Sequence, residues 1–106
     1  MNPRWDESEF VFGDLQTVAQ FIHHDNSFAA RLFLEAAYDT FEFLAQNPGI
    51  GRQRADLGFP EIRSWRVEGF CRYLVFYREL PDRIQIWRVF HGARDLQNIV
   101  QLPEPH

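Results

Sequence analysis

The side chains best suited to chemistry in this sequence of 106 residues are its arginines. All 11 basic residues are Arg, and there is no Lys. Arg52, Arg54, Arg63, Arg66, Arg72, Arg78, Arg88 and Arg94 lie interleaved with aromatic residues in the second half. A guanidinium is permanently charged, bonds carboxylate or phosphate through two parallel N–H groups, and stacks on rings. Such a set could hold an anionic target. A GC-rich codon bias produces the same all-Arg composition with no functional demand behind it. Spacing adds a limit, because Arg63 and Arg66 face opposite sides of an extended strand. Not all of these residues can share one surface. The rest are solvated or pair with Glu61, Glu68 or Glu79, and exposed pairs of that kind contribute about 0–1 kcal/mol.

Other reactive residue types are few. His91 could give or take a proton, or it could be a structural residue at a strand-to-turn corner. His23 and His24 are adjacent, and neighbouring helical positions do not share a face, so joint metal ligation is awkward. With no HExxH spacing and one Cys, no metal site is expected. Cys71 sits in the most apolar stretch and reads as a small buried hydrophobe rather than a nucleophile. Gly49-Ile50-Gly51-Arg52 lacks the pattern of a phosphate loop and follows a helix, so it reads as a stop and turn. No cofactor is implied.

Charge and length bound the partners. Fifteen acidic residues against 11 basic give a net charge of −4. Residues 1–51 hold two Arg and eight acids, a net of −6, and residues 52–106 hold nine Arg and seven acids, a net of +2. The total argues against a general nucleic-acid binder, while the Arg-rich half keeps a local anionic target open. A single Cys excludes an intrachain disulfide. No apolar run reaches the roughly 18 residues a membrane span needs. Residues 1–7 lack the basic start and apolar core of a signal peptide. A single cytoplasmic domain over residues 1–106 is the expectation, with an apolar fraction of 45% that suffices for a core.

Periodicity then supplies the elements that must position these residues. Val11, Leu15, Val18 and Ile22 make one helix face, widened by Phe10 and Phe21. His23-His24-Asp25-Asn26-Ser27 ends it, and Asn26 or Ser27 can cap a second helix. That helix has the stripe Ala29, Phe33, Ala37, Phe41 and Leu44, with Leu32 and Ala36 beside it. Asn47-Pro48-Gly49 stops it. The short polar link predicts an antiparallel hairpin. Strands follow at 62–67, 70–77 and 83–91, with turns at Glu68-Gly69 and Leu80-Pro81-Asp82. In the last strand, strict alternation places Ile84, Ile86, Arg88 and Phe90 on one face and Gln85, Trp87, Val89 and His91 on the other. Trp5 and its neighbours can add an edge strand. Residues 96–100 form a last helical turn or an extended tail. The pattern predicts an α+β fold, a helical hairpin packed on an antiparallel sheet of three to four strands.

The segment Arg88-Val89-Phe90-His91-Gly92-Ala93-Arg94-Asp95-Leu96 resembles the closing strand and turn of the RelE/ParE superfamily, the toxins of type II toxin–antitoxin modules. The likeness continues backwards in order, through Arg72-Tyr73-Leu74-Val75-Phe76-Tyr77, Arg63, Gly51-Arg52, Pro48, the second helix from Ala29-Ala30, and Asp14-Leu15 with Phe21-Ile22. It covers about residues 14–100. RelE-like members cleave mRNA in the ribosome, and ParE-like members inhibit DNA gyrase. The ribonucleolytic branch has Arg three residues before its strand tyrosine, where this chain has Leu74 before Tyr77. That branch often carries a Tyr beyond the position of Arg94, and residues 96–100 contain none. Its second-strand basic residues are matched loosely by Arg63 and Arg66. His-Gly-Ala-Arg-Asp is the form common in ParE-like members, where the His is assigned no catalysis.

The resemblance therefore implies a ParE-like gyrase inhibitor that is not itself an enzyme. Arg52, Arg54, Arg63, Arg72, Arg88, His91 and Arg94 would contact target or partner. The alternative is a ribosome-dependent mRNA endonuclease using His91, Arg94, Arg72 and Arg63, and a non-toxic relic that only binds antitoxin is a third reading. It also implies a cognate antitoxin, a DNA-binding repressor whose C-terminal segment folds on the toxin, and no membrane.

Overall fold

The computed structural model describes residues 4–99. Strand β1 (Trp5–Glu7) leads into helices α1 (Val11–Asp25) and α2 (Ser27–Gln46). Strand β2 (Arg52–Arg54) and a 3-10 turn (Ala55–Leu57) precede β3 (Phe59–Val67), β4 (Phe70–Glu79), β5 (Ile84–His91) and α3 (Gly92–Ile99). The strands form one sheet in the order β1-β5-β4-β3-β2. β1 runs parallel to β5, and the other pairings are antiparallel.

The hairpin forms as its pattern requires. Val11, Leu15 and Val18 are buried on α1, and Ile22 packs beside them. Asn26 caps α2 through its side-chain oxygen, which accepts from the Ala29 N–H at 3.0 Å. Phe33, Ala37, Phe41 and Leu44 are fully buried on the sheet. Burying a Phe or Leu side chain in this way stabilises by about 1.5–3 kcal/mol. Thr40 turns inward as well. Its hydroxyl donates to the Ala36 carbonyl and accepts from the Glu68 N–H, which pins α2 to the β3–β4 turn. In that turn Gly69 has φ 81°, a conformation that favours glycine.

β4 is the central strand, and its near-continuous apolar run is explained by two covered faces. Tyr73, Val75 and Tyr77 join the helices in the main core, together with Ile84, Ile86 and Val89 of β5. Phe76 joins Phe59, Ile62, Trp87 and Phe90 in a second cluster on the other face.

Five expectations are corrected. The sheet has five strands rather than three to four, because the polar triplet Arg52-Gln53-Arg54 pairs with β3 at one edge. Alternation in β5 breaks at a bulge. Phe76 pairs with Arg88 and Tyr77 with Ile86, so Trp87 is left over and the facing inverts after it. Val89 therefore faces the helices with Ile84 and Ile86, and Trp87 shares the other face with Phe90. Phe21 is 56% exposed rather than part of the core stripe. The second-helix stripe is shifted too: Ala30 is buried, Ala29 only partly, and Leu32 lies exposed. Cys71 is exposed, since β4 pairs with β5 only from Tyr73 onward and Cys71 lies past that overlap. The helical reading of residues 96–100 holds through Ile99, and Val100 lies outside the described residues. Among the described residues, no helix is long and apolar enough to cross a membrane.

Candidate functional site

The arginines do not gather on one surface. They divide between groups already engaged within the fold and a corner where β4 meets α3.

Arg54 is almost wholly buried, at 6% exposure. Its guanidinium donates to Ser64 Oγ at 3.0 Å and grips both carboxylate oxygens of Asp56 at 3.1 and 3.0 Å. That contact holds the Asp56 carboxyl below the usual carboxylate range. Arg54 also lies over the Phe76 ring. Arg63 donates to the Gly51 carbonyl at 2.8 Å and pairs with Glu79 at 3.4 Å. Arg52, mostly exposed, lies 3.9 Å from Asp56. Nearby, the buried Tyr77 hydroxyl donates to the Pro48 carbonyl and accepts from the Gly51 N–H. Burial raises the Tyr77 pKa above the ordinary phenol value. A Cβ on Gly51 would meet the Tyr77 hydroxyl at 2.5 Å, so the crossing of the chain over this ring needs glycine.

Arg88 is equally engaged. It forms a two-armed bond with Asp14, both contacts at 2.7 Å, and the same carboxylate accepts the Val89 N–H at 3.0 Å. The guanidinium is sandwiched near the rings of Phe10 and Phe90. Asp14 thus closes the part of the β5 edge that β1 leaves uncovered.

The β4–α3 corner differs. Arg72, His91, Gly92 and Ala93, with Cys71 and Leu74, line a shallow groove of about 460 Å³. Arg72 is exposed, and no bond or ion pair engages its side chain among the described residues. His91 ends β5 and caps α3: its Nδ1 accepts the Arg94 N–H at 2.9 Å, three residues on. An imidazole nitrogen that accepts carries no proton, so the ring proton sits on Nε2. The ring also meets Tyr73 edge-on, with centroids 5.3 Å apart. Gly92 lets α3 start tightly against β4, since a Cβ there would meet Leu74 Cδ1 at 2.7 Å. Arg94 pairs with Asp95 at 3.3 Å and lies over the Phe21 ring at 4.9 Å. Phe21 is the residue of this corner that sequence reasoning placed elsewhere. The available signal was its position off the Val18–Ile22 line of α1.

Of the seven arginine and histidine candidates, the fold brings Arg72 and His91 to one groove, with Arg94 on the first turn of the same helix. Arg52, Arg54 and Arg63 lie at the β2–β3 edge, and Arg88 is paired under α1. The corner can present a guanidinium that is unpaired among the described residues, and a helix start, to an anionic group. No group of three or more His, Cys, Asp or Glu able to hold a metal occurs among the described residues.

Comparison with known proteins agrees with this architecture. A solved chain from a chromosomal ParDE toxin–antitoxin system of P. aeruginosa matches with a TM-score of 0.68 and 19% identity, over 82% of this chain and 92% of that chain. Likeness at that identity speaks for the fold. A search of curated proteins found no match. The family model described as the ParE toxin of the type II toxin–antitoxin system parDE matches residues 11–96. With most of its length so matched, the chain belongs to the ParE toxin family of type II toxin–antitoxin systems.

Proposed function

We propose that this chain is a toxin that binds DNA gyrase and blocks it without cleaving a substrate, acting in the cytoplasm, and that a cognate antitoxin neutralises it. The observation that carries the reading is the hydrogen bond that His91 makes to the start of α3. Its Nδ1 is spent on the first turn of α3, so the residue behaves as a helix cap. RNA cleavage through a 2′-hydroxyl needs a base on that hydroxyl, cations on the developing phosphorane and an acid for the leaving oxygen. Of the other arginines, Arg54 and Arg88 are tied to Asp56 and Asp14. What remains is a binding corner, where Arg72 meets no side-chain partner among the described residues and the α3 start lies beside it. An acidic patch of gyrase would suit it.

Expression of the chain should arrest growth, induce the SOS response and leave mRNA intact, and the purified chain should inhibit gyrase. Arrest with early transcript cleavage and no DNA damage would overturn the proposal. One observation favours the nuclease alternative: Arg72 and His91 share a groove at a helix start. Mapping transcript ends after induction separates the two. If His91→Ala abolishes cleavage, the alternative stands.

A further inference from the structure

One ridge of α1 grips two arginines of the closing segment. Phe10 at the N-cap, Asp14 and Phe21 are spaced by four and seven residues, which sets them within about 40° of one another around the helix. The first two engage Arg88. Asp14 bonds its guanidinium through both oxygens, and the Phe10 ring centre lies 4.8 Å from it. Phe21 stands about 10 Å farther along the ridge than Asp14. Its ring carries the guanidinium of Arg94 at 4.9 Å, three residues past the end of β5.

The two grips differ in depth. Arg88 and Asp14 are largely buried, so their bond belongs to the packing of the fold. Phe21 is more than half exposed and lies off the buried line of α1, so core burial does not account for its ring. What the ring offers is a π face, and a guanidinium above such a face is attracted by the ring quadrupole.

Arg94 is the place where a hold of this kind has consequences. Its N–H is capped by His91 Nδ1, and its guanidinium meets Asp95, its neighbour in sequence. Neither bond reaches beyond the β5–α3 junction. Gly92 against Leu74 sets the first turn of α3 on β4, His91 ties it to β5, and Phe21 ties it to α1. A turn held from three elements keeps its place, and one held from two can pivot about the line that joins them. Gly92 and Ala93 of that turn line the same groove as Arg72, so a pivot there reshapes the groove.

We infer that Phe21 is a positioning residue for the β4–α3 corner: its ring holds Arg94 and so fixes the first turn of α3 beside Arg72. This rests on the proposal that the corner binds gyrase.

The test uses the full chain with Phe21→Leu, which keeps an apolar side chain and removes the π face, and Phe21→Trp, which keeps the face. Phe12→Leu is the control, another exposed phenylalanine of α1. In the free chain, the Arg94 Nε–H resonance should carry a ring-current shift that F21L loses and F21W restores. Hydrogen exchange at the Arg94 amide should quicken at least about threefold in F21L, and gyrase inhibition should weaken about threefold, the scale of an exposed cation–π contact. Thermal unfolding should stay as in the parent, and F12L should match the parent throughout. Unchanged Arg94 resonances and exchange in F21L would overturn the inference. So would weaker inhibition with unchanged exchange, because Phe21 would then touch the target itself, and so would equal losses in F12L. Resonances and exchange are read in the free chain. A parent that fails to inhibit gyrase therefore condemns the target assignment, while those two readouts still decide whether Phe21 seats α3.

Discussion

The β2–β3 edge and the β4–α3 corner are built from the same residue type and use it in opposite ways. At the edge, Arg54 is buried against Asp56, Ser64 and Phe76, and Arg63 ties Gly51 to Glu79. These guanidinium groups replace the core that a three-residue polar strand cannot supply. At the corner, Arg72 has no such engagement among the described residues, and His91 is the group spent on structure. A charge already satisfied inside the fold has little left to offer a partner. The difference teaches that the count of arginines in a sequence says less about binding than their commitments do.

The strongest way to break this comparison is to remove a committed arginine. Arg54→Ala takes away the partner of the buried Ser64 hydroxyl, the bidentate clamp on Asp56 and the packing on Phe76. It is expected to cost about 3 kcal/mol in urea unfolding. Arg54→Lys should recover little of that, because an ammonium cannot reproduce the fork. An Arg54→Ala protein of unchanged stability would erase the distinction between the two regions.

Part of this was legible in the sequence. The hairpin followed from the spacing of Val11, Leu15, Val18, Phe33, Ala37, Phe41 and Leu44, and the cap from Asn26, because both are local features. The central position of β4 followed from its unbroken apolar run. β2 was not legible, since Arg-Gln-Arg has no strand signature and is held by tertiary bonds. The bulge at Trp87 was hidden as well: one extra residue inverts every later side chain, and nothing local announces it. The exposure of Cys71 depends on where β5 ends, a non-local fact. The motif around His91 and Arg94 located the corner, but the assignment of Arg88 to Asp14, 74 residues away, required the fold.

Next in size is Gly51→Ala. The added methyl group would press on a Tyr77 ring that is fully buried and held by two hydrogen bonds. A loss of about 2 kcal/mol is expected, as for other overpacked sites. Thermal unfolding would check it, and a neutral outcome would mean that the edge is softer than its bonding suggests.

Tyr77→Phe should cost about 1–2 kcal/mol by leaving the Pro48 carbonyl and the Gly51 N–H without their partner. It also has a pH signature. Burial raises the Tyr77 pKa in the folded chain, so the phenol binds its proton more tightly folded than unfolded. Its contribution to stability is full below the ordinary phenol pKa and is lost as pH rises through the raised value. The wild-type chain should therefore lose stability in that alkaline range more steeply than Y77F. Parallel alkaline curves would sever the link between burial and this bond network.

The smallest expected change in stability belongs to Arg72→Ala, and it is the sharpest test of the corner. The side chain is exposed and engages nothing among the described residues, so unfolding should shift by no more than about 0.5 kcal/mol. Under the proposed function, gyrase inhibition should nonetheless weaken about tenfold, as when a charge-assisted contact is removed from an interface. The two readouts must separate: stability held, inhibition lost. Arg72→Lys refines the reading, because a lysine keeps the charge and loses the planar fork. Recovery by lysine would point to a simple charge contact, and no recovery to bidentate recognition of a carboxylate or phosphate. If Arg72→Ala inhibits gyrase as well as the parent chain, the unpaired arginine is not the contact. The weight of target binding would then have to move to Arg94, which lies 4.9 Å over the Phe21 ring and shares its charge with Asp95.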